Sequence, residues 1–196
     1  YQKALEAINL EAIPSGSVGL VLQHPVPVQS LPGFEEGWVS VQDAAAQMAA
    51  PLLLEGLDLT RPVRVLDACA APGGKTAHLL EWAGAGAPIQ VTALEIDATR
   101  SARIGETLQR LGLRAQVVVA DAARPQDWWQ QHCDGAQFDA ILLDAPCTAS
   151  GIVRRHPDVR WLRRESDIAQ LAGLQARLLK TLWPLLRPGG RLLYCT

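Results

Sequence analysis

VRVLDACAAPGGKT, residues 63–76, is the most informative segment of this 196-residue chain. Its apolar start predicts a buried strand that ends at Asp67. Small residues follow, and Lys75 and Thr76 then open a run with apolar residues at helical spacing. A strand, a turn of small residues and a helix are typical of a nucleotide-binding α/β unit. Such a turn can lie flat against a ligand, and the helix N-terminus offers free N–H groups.

The residue types at fixed positions of this turn distinguish three classes of ligand. A P-loop needs G-x-x-x-x-G-K-[ST], and its first glycine position holds Cys69. The dinucleotide fingerprint needs glycine at Cys69 and Ala71. S-adenosyl-L-methionine (SAM) has no pyrophosphate, so its turn tolerates small residues other than glycine. The turn therefore favours SAM, with a P-loop ATPase as the alternative enzyme class.

Two further predicted strands, residues 89–94 and 115–120, are each followed by an acid, Glu95 and Asp121. Ligands of open α/β sheets bind outside the carboxyl ends of the strands, so Asp67, Glu95 and Asp121 should converge there. An acid about 20 residues beyond the turn binds a ribose hydroxyl pair, which we assign to Glu95. Asp121 is a candidate for the adenine amino group. The alternatives are a simple exposed acid for Glu95 and a cap of the following turn for Asp121.

The segment FDAILLDAPCTASG, residues 138–151, brings a carboxylate and a thiol to one turn. Residues 138–143 predict a fourth buried strand that ends on Asp144, and Cys147 follows Pro146. A thiol and a carboxylate at a rigid proline turn are typical of a reaction centre. The alternative for Cys147 is a small buried apolar residue.

The remaining elements are predicted from capping and breaking residues. Ser40 is the expected N-cap of an alanine-rich helix that reaches Leu54, with Pro51 late in it. Asp97 should cap a helix over residues 98–111. A helix over residues 166–186 should be broken by Pro188-Gly189-Gly190, with a fifth strand over residues 191–194. Trp128 and Trp129 are expected to pack over the sheet.

Three motifs resemble the RNA 5-methylcytosine methyltransferases of the Sun/NSUN family. They are D-x-C-x-A-P-G-G-K-T from Asp67, D-A-P-C-T from Asp144, and G-W-V-x-V-Q-D-x-x-A-Q over residues 37–47. A fourth stretch, R-R-H-P-D-x-x-W-x-R-R over residues 154–164, is similar to bacterial ribosomal-RNA methyltransferases of this family. The resemblance covers residues 33–196.

The resemblance implies SAM-dependent methylation of carbon 5 of a cytosine in RNA, with 16S ribosomal RNA as the expected target and S-adenosyl-L-homocysteine as the product. In this family a cysteine thiolate adds to carbon 6, which makes carbon 5 nucleophilic. That cysteine lies in a T-C-S motif, so it is expected just after Thr196. The second family cysteine, which assists elimination and product release, maps onto Cys147. Asp144 is expected at the cytosine or the methionine end of SAM. The expected cofactor-binding residues are Cys69, Ala70, Ala71, Pro72, Gly73, Gly74, Lys75, Glu95, Asp121 and Asp144.

Residues 153–164 hold five arginines and a single acid, although the net charge of the chain is −2. Arginines contact phosphates, and arginine or tryptophan planes can stack on unpaired bases. This patch therefore predicts local RNA contact, and a solvated charged loop is the alternative. The residues assigned to RNA are Arg154, Arg155, His156, Arg160, Arg163 and Arg164.

The expected fold class is α/β, a doubly wound Rossmann-like methyltransferase sheet in the order 3-2-1-4-5 with helices on both faces, truncated after strand five. Residues 1–36 are an expected lead segment with a short hairpin, and residues 37–196 the catalytic core. Four separated cysteines, without metal-ligand spacing or a leader, predict a cytoplasmic monomer with no metal and no membrane span. A transfer-RNA target and a non-catalytic module that binds SAM and RNA remain the alternative functions.

Overall fold

The computed structural model describes residues 1–16, 18–153 and 156–196, which form two compact units. The first unit comprises residues 1–41 and 110–112. It holds helix α1 (Gln2–Glu6) and an antiparallel hairpin of β1 (Ala12–Ser15) and β2 (Gly19–Leu22). Within it, the Arg110 guanidinium lies 4.0 Å from the ring centroid of Phe34. The boundary expected at residue 37 stays a prediction.

The second unit comprises residues 42–109 and 113–196. Its strands are β3 (Val63–Ala68), β4 (Ile89–Glu95), β5 (Gln116–Val119), β6 (Phe138–Asp144) and β7 (Leu186–Cys195). The helices that accompany them are α2 (Ala49–Leu54), α3 (Gly74–Ala83), α4 (Ala98–Arg110), α5 (Trp129–Cys133), α6 (Val159–Leu162) and α7 (Glu165–Leu182).

The five strands of the second unit form one parallel sheet in the order β5-β4-β3-β6-β7. This order is the predicted 3-2-1-4-5 arrangement, which is confirmed. Because the strands are parallel, Asp67, Glu95 and Asp144 all lie at the same, carboxyl edge of the sheet. The predicted N-cap is also confirmed, since Asp97 Oδ1 accepts the Arg100 N–H at 2.9 Å.

Successive residues of the central strands bury opposite faces of the sheet. Val65 and Leu142 pack into a cluster with Leu53 of α2 and Leu79 of α3. Leu66, Ile141 and Leu143 pack on the other face with Trp128 and with Leu178 and Leu182 of α7. The sheet is therefore covered by helices on both faces, as predicted for a doubly wound fold. Trp128 is 1% exposed, which confirms its predicted packing role.

The predicted helix from Ser40 is wrong in its first half. Helix α2 begins only at Ala49, after a short 3₁₀ turn, and Ser40 does not cap it. Asp43 Oδ1 instead accepts the Ala45 N–H at 3.0 Å, a side-chain bond that competes with helix formation. Pro51 then falls in the first turn of α2, where its missing N–H has no intrahelical partner to lose.

The predicted end of the last helix and the start of the last strand are also wrong. Helix α7 ends at Leu182, and the chain continues as a 3₁₀ turn over Trp183–Leu185, in which Pro184 has no N–H to donate. Strand β7 begins at Leu186 and contains the Pro188–Gly190 segment at a register irregularity. Arg187 Nη1 lies 2.7 Å from Oδ1 of the buried Asp139, which holds this first part of β7 against β6.

In the part of the chain that the structure describes, no helix has the length and the apolar character needed to cross a membrane.

Two neighbouring leucines of α2 provide a test of the packing on one sheet face. Leu53 is 1% exposed, whereas Leu52 is 47% exposed. Leu53→Ala should lower the free energy of unfolding by about 2–5 kcal/mol, because it leaves a cavity against the sheet. Leu52→Ala, with the same helix propensity change, should cost less than about 1 kcal/mol. Urea unfolding followed by circular dichroism measures the free energy of unfolding of both variants. Equal decreases for the two variants would contradict the packing of Leu53 against the sheet.

Candidate active site

A cavity of about 290 Å³ opens at the carboxyl edge of the parallel sheet. Six residues predicted for the cofactor or for catalysis contribute to its wall, together with Thr196. These six are Cys69, Ala71, Glu95, Asp121, Asp144 and Cys147. The other five predicted cofactor residues do not line the cavity, although they lie in or next to the turn that contains Cys69 and Ala71. They are Ala70, Pro72, Gly73, Gly74 and Lys75.

The turn between β3 and α3 requires small residues because α4 packs directly against it. Gly73 has φ +97°, and a Cβ there would lie 3.0 Å from Ile104 Cα. Thr107 Oγ1 donates to the Pro72 carbonyl at 2.8 Å, which closes the turn against α4. A side chain at Gly73 would therefore both strain the backbone and push the turn away from α4.

Glu95 is a buried carboxylate with one oxygen that accepts hydrogen bonds from neighbouring residues and one that has no partner among the described residues. Its side chain is 2% exposed. Oε1 accepts the Asp97 N–H at 3.1 Å and the Arg100 Nη1–H at 3.4 Å. Oε2 is also buried, and it has no hydrogen-bond partner among the described residues. A buried carboxylate oxygen at a cavity wall is costly unless a donor reaches it, so this atom fits a ligand hydroxyl group.

Asp121 has the capping role that the sequence left open, and it also lines the cavity. Its Oδ1 caps the following turn by accepting the Ala123 N–H at 2.9 Å. Its backbone carbonyl accepts the Trp128 Nε1–H at 3.1 Å, so a buried indole fixes its position. The residue nevertheless lines the cavity. The cap therefore does not exclude contact with a ligand.

An ion pair joins the turn to the end of β6. Lys75 Nζ lies 2.7 Å from Asp144 Oδ2, and both side chains are partly buried. The pair fixes the Asp144 carboxylate at the cavity, next to the turn that carries Cys147. A carboxylate held in this way can accept a hydrogen bond from a ligand amino group.

Asp67 differs from the expectation that it would face a ligand with Glu95 and Asp121. It is fully buried and absent from the cavity wall, because β3 continues through Asp67 to Ala68. Its Oδ2 accepts a hydrogen bond from Thr76 Oγ1 at 2.6 Å. Burial raises the pKa of Asp67 to about 7, against the opposing effect of the Thr76 hydrogen bond.

The loop after β6 holds Cys147 at the cavity through contacts on both sides. Gln175 of α7 donates to the Pro146 carbonyl at 2.7 Å, and Arg163 Nε donates to the Thr148 carbonyl at 2.6 Å. The Cys147 sulfur accepts the Ala149 N–H at 3.3 Å. These bonds keep the thiol at the cavity wall beside Asp144.

The other cysteines at this edge are poor nucleophiles. Burial, reinforced by Glu95, raises the pKa of Cys69 to about 12. Burial also raises the pKa of Cys195. Since the thiolate is the reactive form, a raised pKa disfavours both residues as nucleophiles.

The residues predicted to contact RNA follow the Cys147 loop. His156, Arg160, Arg163 and Arg164 are exposed. Arg160 lies in α6, and Arg164 precedes the first residue of α7. Arg154 and Arg155 lie outside the described residues.

The parallel sheet, its strand order and the cavity at its carboxyl edge define a Rossmann-like α/β protein with the fold of SAM-dependent methyltransferases. The family model of the 16S rRNA methyltransferase RsmB/F matches residues 55–196, and the chain belongs to this family. The predicted resemblance to Sun/NSUN proteins is thereby confirmed.

Relatives and solved structures agree with this membership. The chain is 52% identical to ribosomal RNA small subunit methyltransferase B of Vibrio cholerae, over all of this chain and 43% of that protein. It is similar to a methyltransferase homologue from Pyrococcus horikoshii (30% identity, TM-score 0.76, 98% of this chain and 58% of that one). It is also similar to NSun6 from P. horikoshii with SFG (28% identity, TM-score 0.73, 91% of this chain and 44% of that one). The chain spans less than half the length of the curated relatives it matches.

The buried Asp67 predicts a distinct pH dependence of stability. Its folded pKa of about 7 lies above the ordinary 3.8, so between these values the native state holds a proton that the unfolded chain releases. The contribution of Asp67 to the free energy of unfolding should therefore fall as pH rises from 4 to 7.5, by on the order of 4 kcal/mol. Asp67→Asn should remove this dependence.

Urea unfolding at pH 4, 5.5 and 7.5 measures the effect as the difference between wild type and variant. Asp134→Asn makes the same chemical change at an exposed position and is the matched control. A pH profile of Asp67→Asn that runs parallel to wild type would show that Asp67 is ionised throughout.

Proposed function

We propose that this chain is the cofactor-binding core of a SAM-dependent methyltransferase that methylates carbon 5 of a cytosine in 16S ribosomal RNA. The observation that carries the proposal is one cavity that joins the unpartnered Glu95 oxygen to the Asp144 carboxylate and the Cys147 thiol. Family membership supports it. The NSun6 structure with SFG, a SAM analogue, supports the cofactor.

The residues at the cavity fit the parts of SAM. Glu95 Oε2 would accept a hydrogen bond from the ribose hydroxyl groups, and Asp121 would accept one from the adenine amino group. The turn from Cys69 to Gly74, which reaches the cavity wall at Cys69 and Ala71, would hold the methionine end, with Lys75 next to it. When bound, SAM supplies an electrophilic methyl group on a sulfonium centre.

The substrate side of the cavity is assigned to Asp144 and Cys147. Asp144, held by Lys75, accepts a hydrogen bond from the cytosine amino group. The thiolate that attacks carbon 6 is assigned to the residue that follows Thr196 in a longer polypeptide, and Thr196 lies in the cavity wall. Once carbon 5 has taken the methyl group, a base removes the carbon 5 proton, and Cys147 assists elimination of the thiolate from carbon 6.

The basic residues after the Cys147 loop are assigned to the RNA backbone. Arg160, Arg163 and Arg164 are exposed there, and His156 lies nearby in sequence. Their positive charge attracts phosphates despite the net charge of −2 on the whole chain. With ribosomal RNA as the substrate, the reaction takes place in the cytoplasm.

The cofactor assignment predicts the effect of removing single acids. Glu95→Ala should weaken SAM binding about 10- to 150-fold, because hydrogen bonds to a charged group are worth about 1.5–3 kcal/mol. Asp121→Ala should also weaken it. Glu106→Ala, an exposed acid of α4, is the matched control and should leave the affinity unchanged. Calorimetric titration with SAM and with S-adenosyl-L-homocysteine measures these affinities; binding of ATP–Mg²⁺ in place of SAM would refute the assignment.

The assignment of Cys147 to elimination predicts a defect after methyl transfer. In the longer enzyme, Cys147→Ala should leave SAM affinity unchanged but lower multiple-turnover methylation at least tenfold. It should also accumulate a covalent complex between RNA and protein, because the attacking thiolate is not expelled. Denaturing gels with labelled RNA detect this complex. Full turnover with Cys147→Ala would exclude the role.

A further inference from the structure

Trp161 is the most exposed large hydrophobic side chain among the described residues, at 84%. It lies in the short helix α6, which is anchored by Val159 at 9% exposure. The next residue, Leu162, is 66% exposed. Tryptophan is highly buried on average, because its large apolar surface is unfavourable in water. An indole left open on a short, anchored helix therefore indicates a surface that a partner molecule or a further part of a longer polypeptide covers.

The surroundings of Trp161 are basic and lie beside the Cys147 loop. Arg160, Arg163 and Arg164 are all exposed next to it in sequence. The Arg163 side chain donates to the Thr148 carbonyl at 2.6 Å, one residue beyond Cys147. Two residues span at most about 7 Å, so the backbone of Trp161 lies close to that of Arg163. Trp161 thus belongs to a short, exposed basic segment that is tied through Arg163 to the loop of Cys147.

We propose that Trp161 is a stacking platform for an unpaired base of the substrate RNA, close to the nucleotide that enters the cavity at Cys147. This inference rests on the proposed function, because it takes RNA as the substrate. A base offers an apolar face to the indole while its phosphates meet the neighbouring arginines. The faces of paired bases are already covered in a duplex, so the platform selects single-stranded RNA.

Binding of labelled RNA, followed by fluorescence anisotropy, tests the proposal. The probes are an unstructured single-stranded RNA oligonucleotide and the duplex of the same sequence. Trp161→Ala should weaken single-strand binding about 5- to 150-fold, since stacking on an aromatic side chain is worth about 1–3 kcal/mol per base. Duplex binding should not change, and Trp161→Phe should restore most of the single-strand affinity.

The chain offers a matched control in Trp183, which is 64% exposed. It lies just before β7, at the amino edge of the sheet and away from Cys147. Trp183→Ala should leave both affinities unchanged. The salt dependence separates stacking from charge: Trp161→Ala should keep the wild-type slope of log K against log salt, whereas Arg160→Ala should reduce it by about 0.7.

Two outcomes overturn the inference. Unchanged RNA affinity in Trp161→Ala would show that the indole is covered by a protein partner or by a further part of a longer polypeptide, and equal losses for single strand and duplex would exclude stacking. SAM titration of the same samples separates this result from a failure of the proposed function. Intact SAM binding leaves that function standing, and wild-type protein that binds no SAM would refute it instead.

Discussion

The hydrogen bond from Thr76 to the buried Asp67 joins the end of the central strand to the start of α3, and the rest of the site depends on it. It fixes the first turn of α3, from which Lys75 reaches Asp144 at 2.7 Å. The small residues between Asp67 and Thr76 can then lie against α4 without side chains in the way. One short bond thus sets the cofactor turn and, through Lys75, the acid beside Cys147.

Several acidic side chains lie at one edge of the sheet, and nearby cationic side chains balance only part of their negative charge. Glu95 is paired with an exposed arginine, and Asp144 with Lys75. Asp67 is fully buried and does not line the cavity, and burial raises its pKa. A proton on Asp67 reduces the repulsion among these acids when no cation is bound. A ligand with a positive sulfonium centre complements such an edge, which is a physical reason for these acids to lie together.

Much of the fold could be predicted, because the buried strands are apolar runs that end on acids. The sequence also indicated the cofactor turn, Glu95, Asp121 and the loop of Cys147. The pairing of Lys75 with Asp144 joins residues 69 positions apart, so no local pattern shows it. The start of β7 was missed for the same reason, since the contact of Arg187 with Asp139 overrides the local preference of Pro188 and Gly189 for a turn.

The Arg163–Thr148 hydrogen bond connects the two halves of the site. It ties the basic segment around α6 to the loop that carries Cys147. Gln175 holds the same loop from α7 through the Pro146 carbonyl. Under the proposed function, RNA bound by Arg163 would contact a residue that also holds the loop of Cys147. Substrate binding and the position of the thiol would then depend on one shared contact.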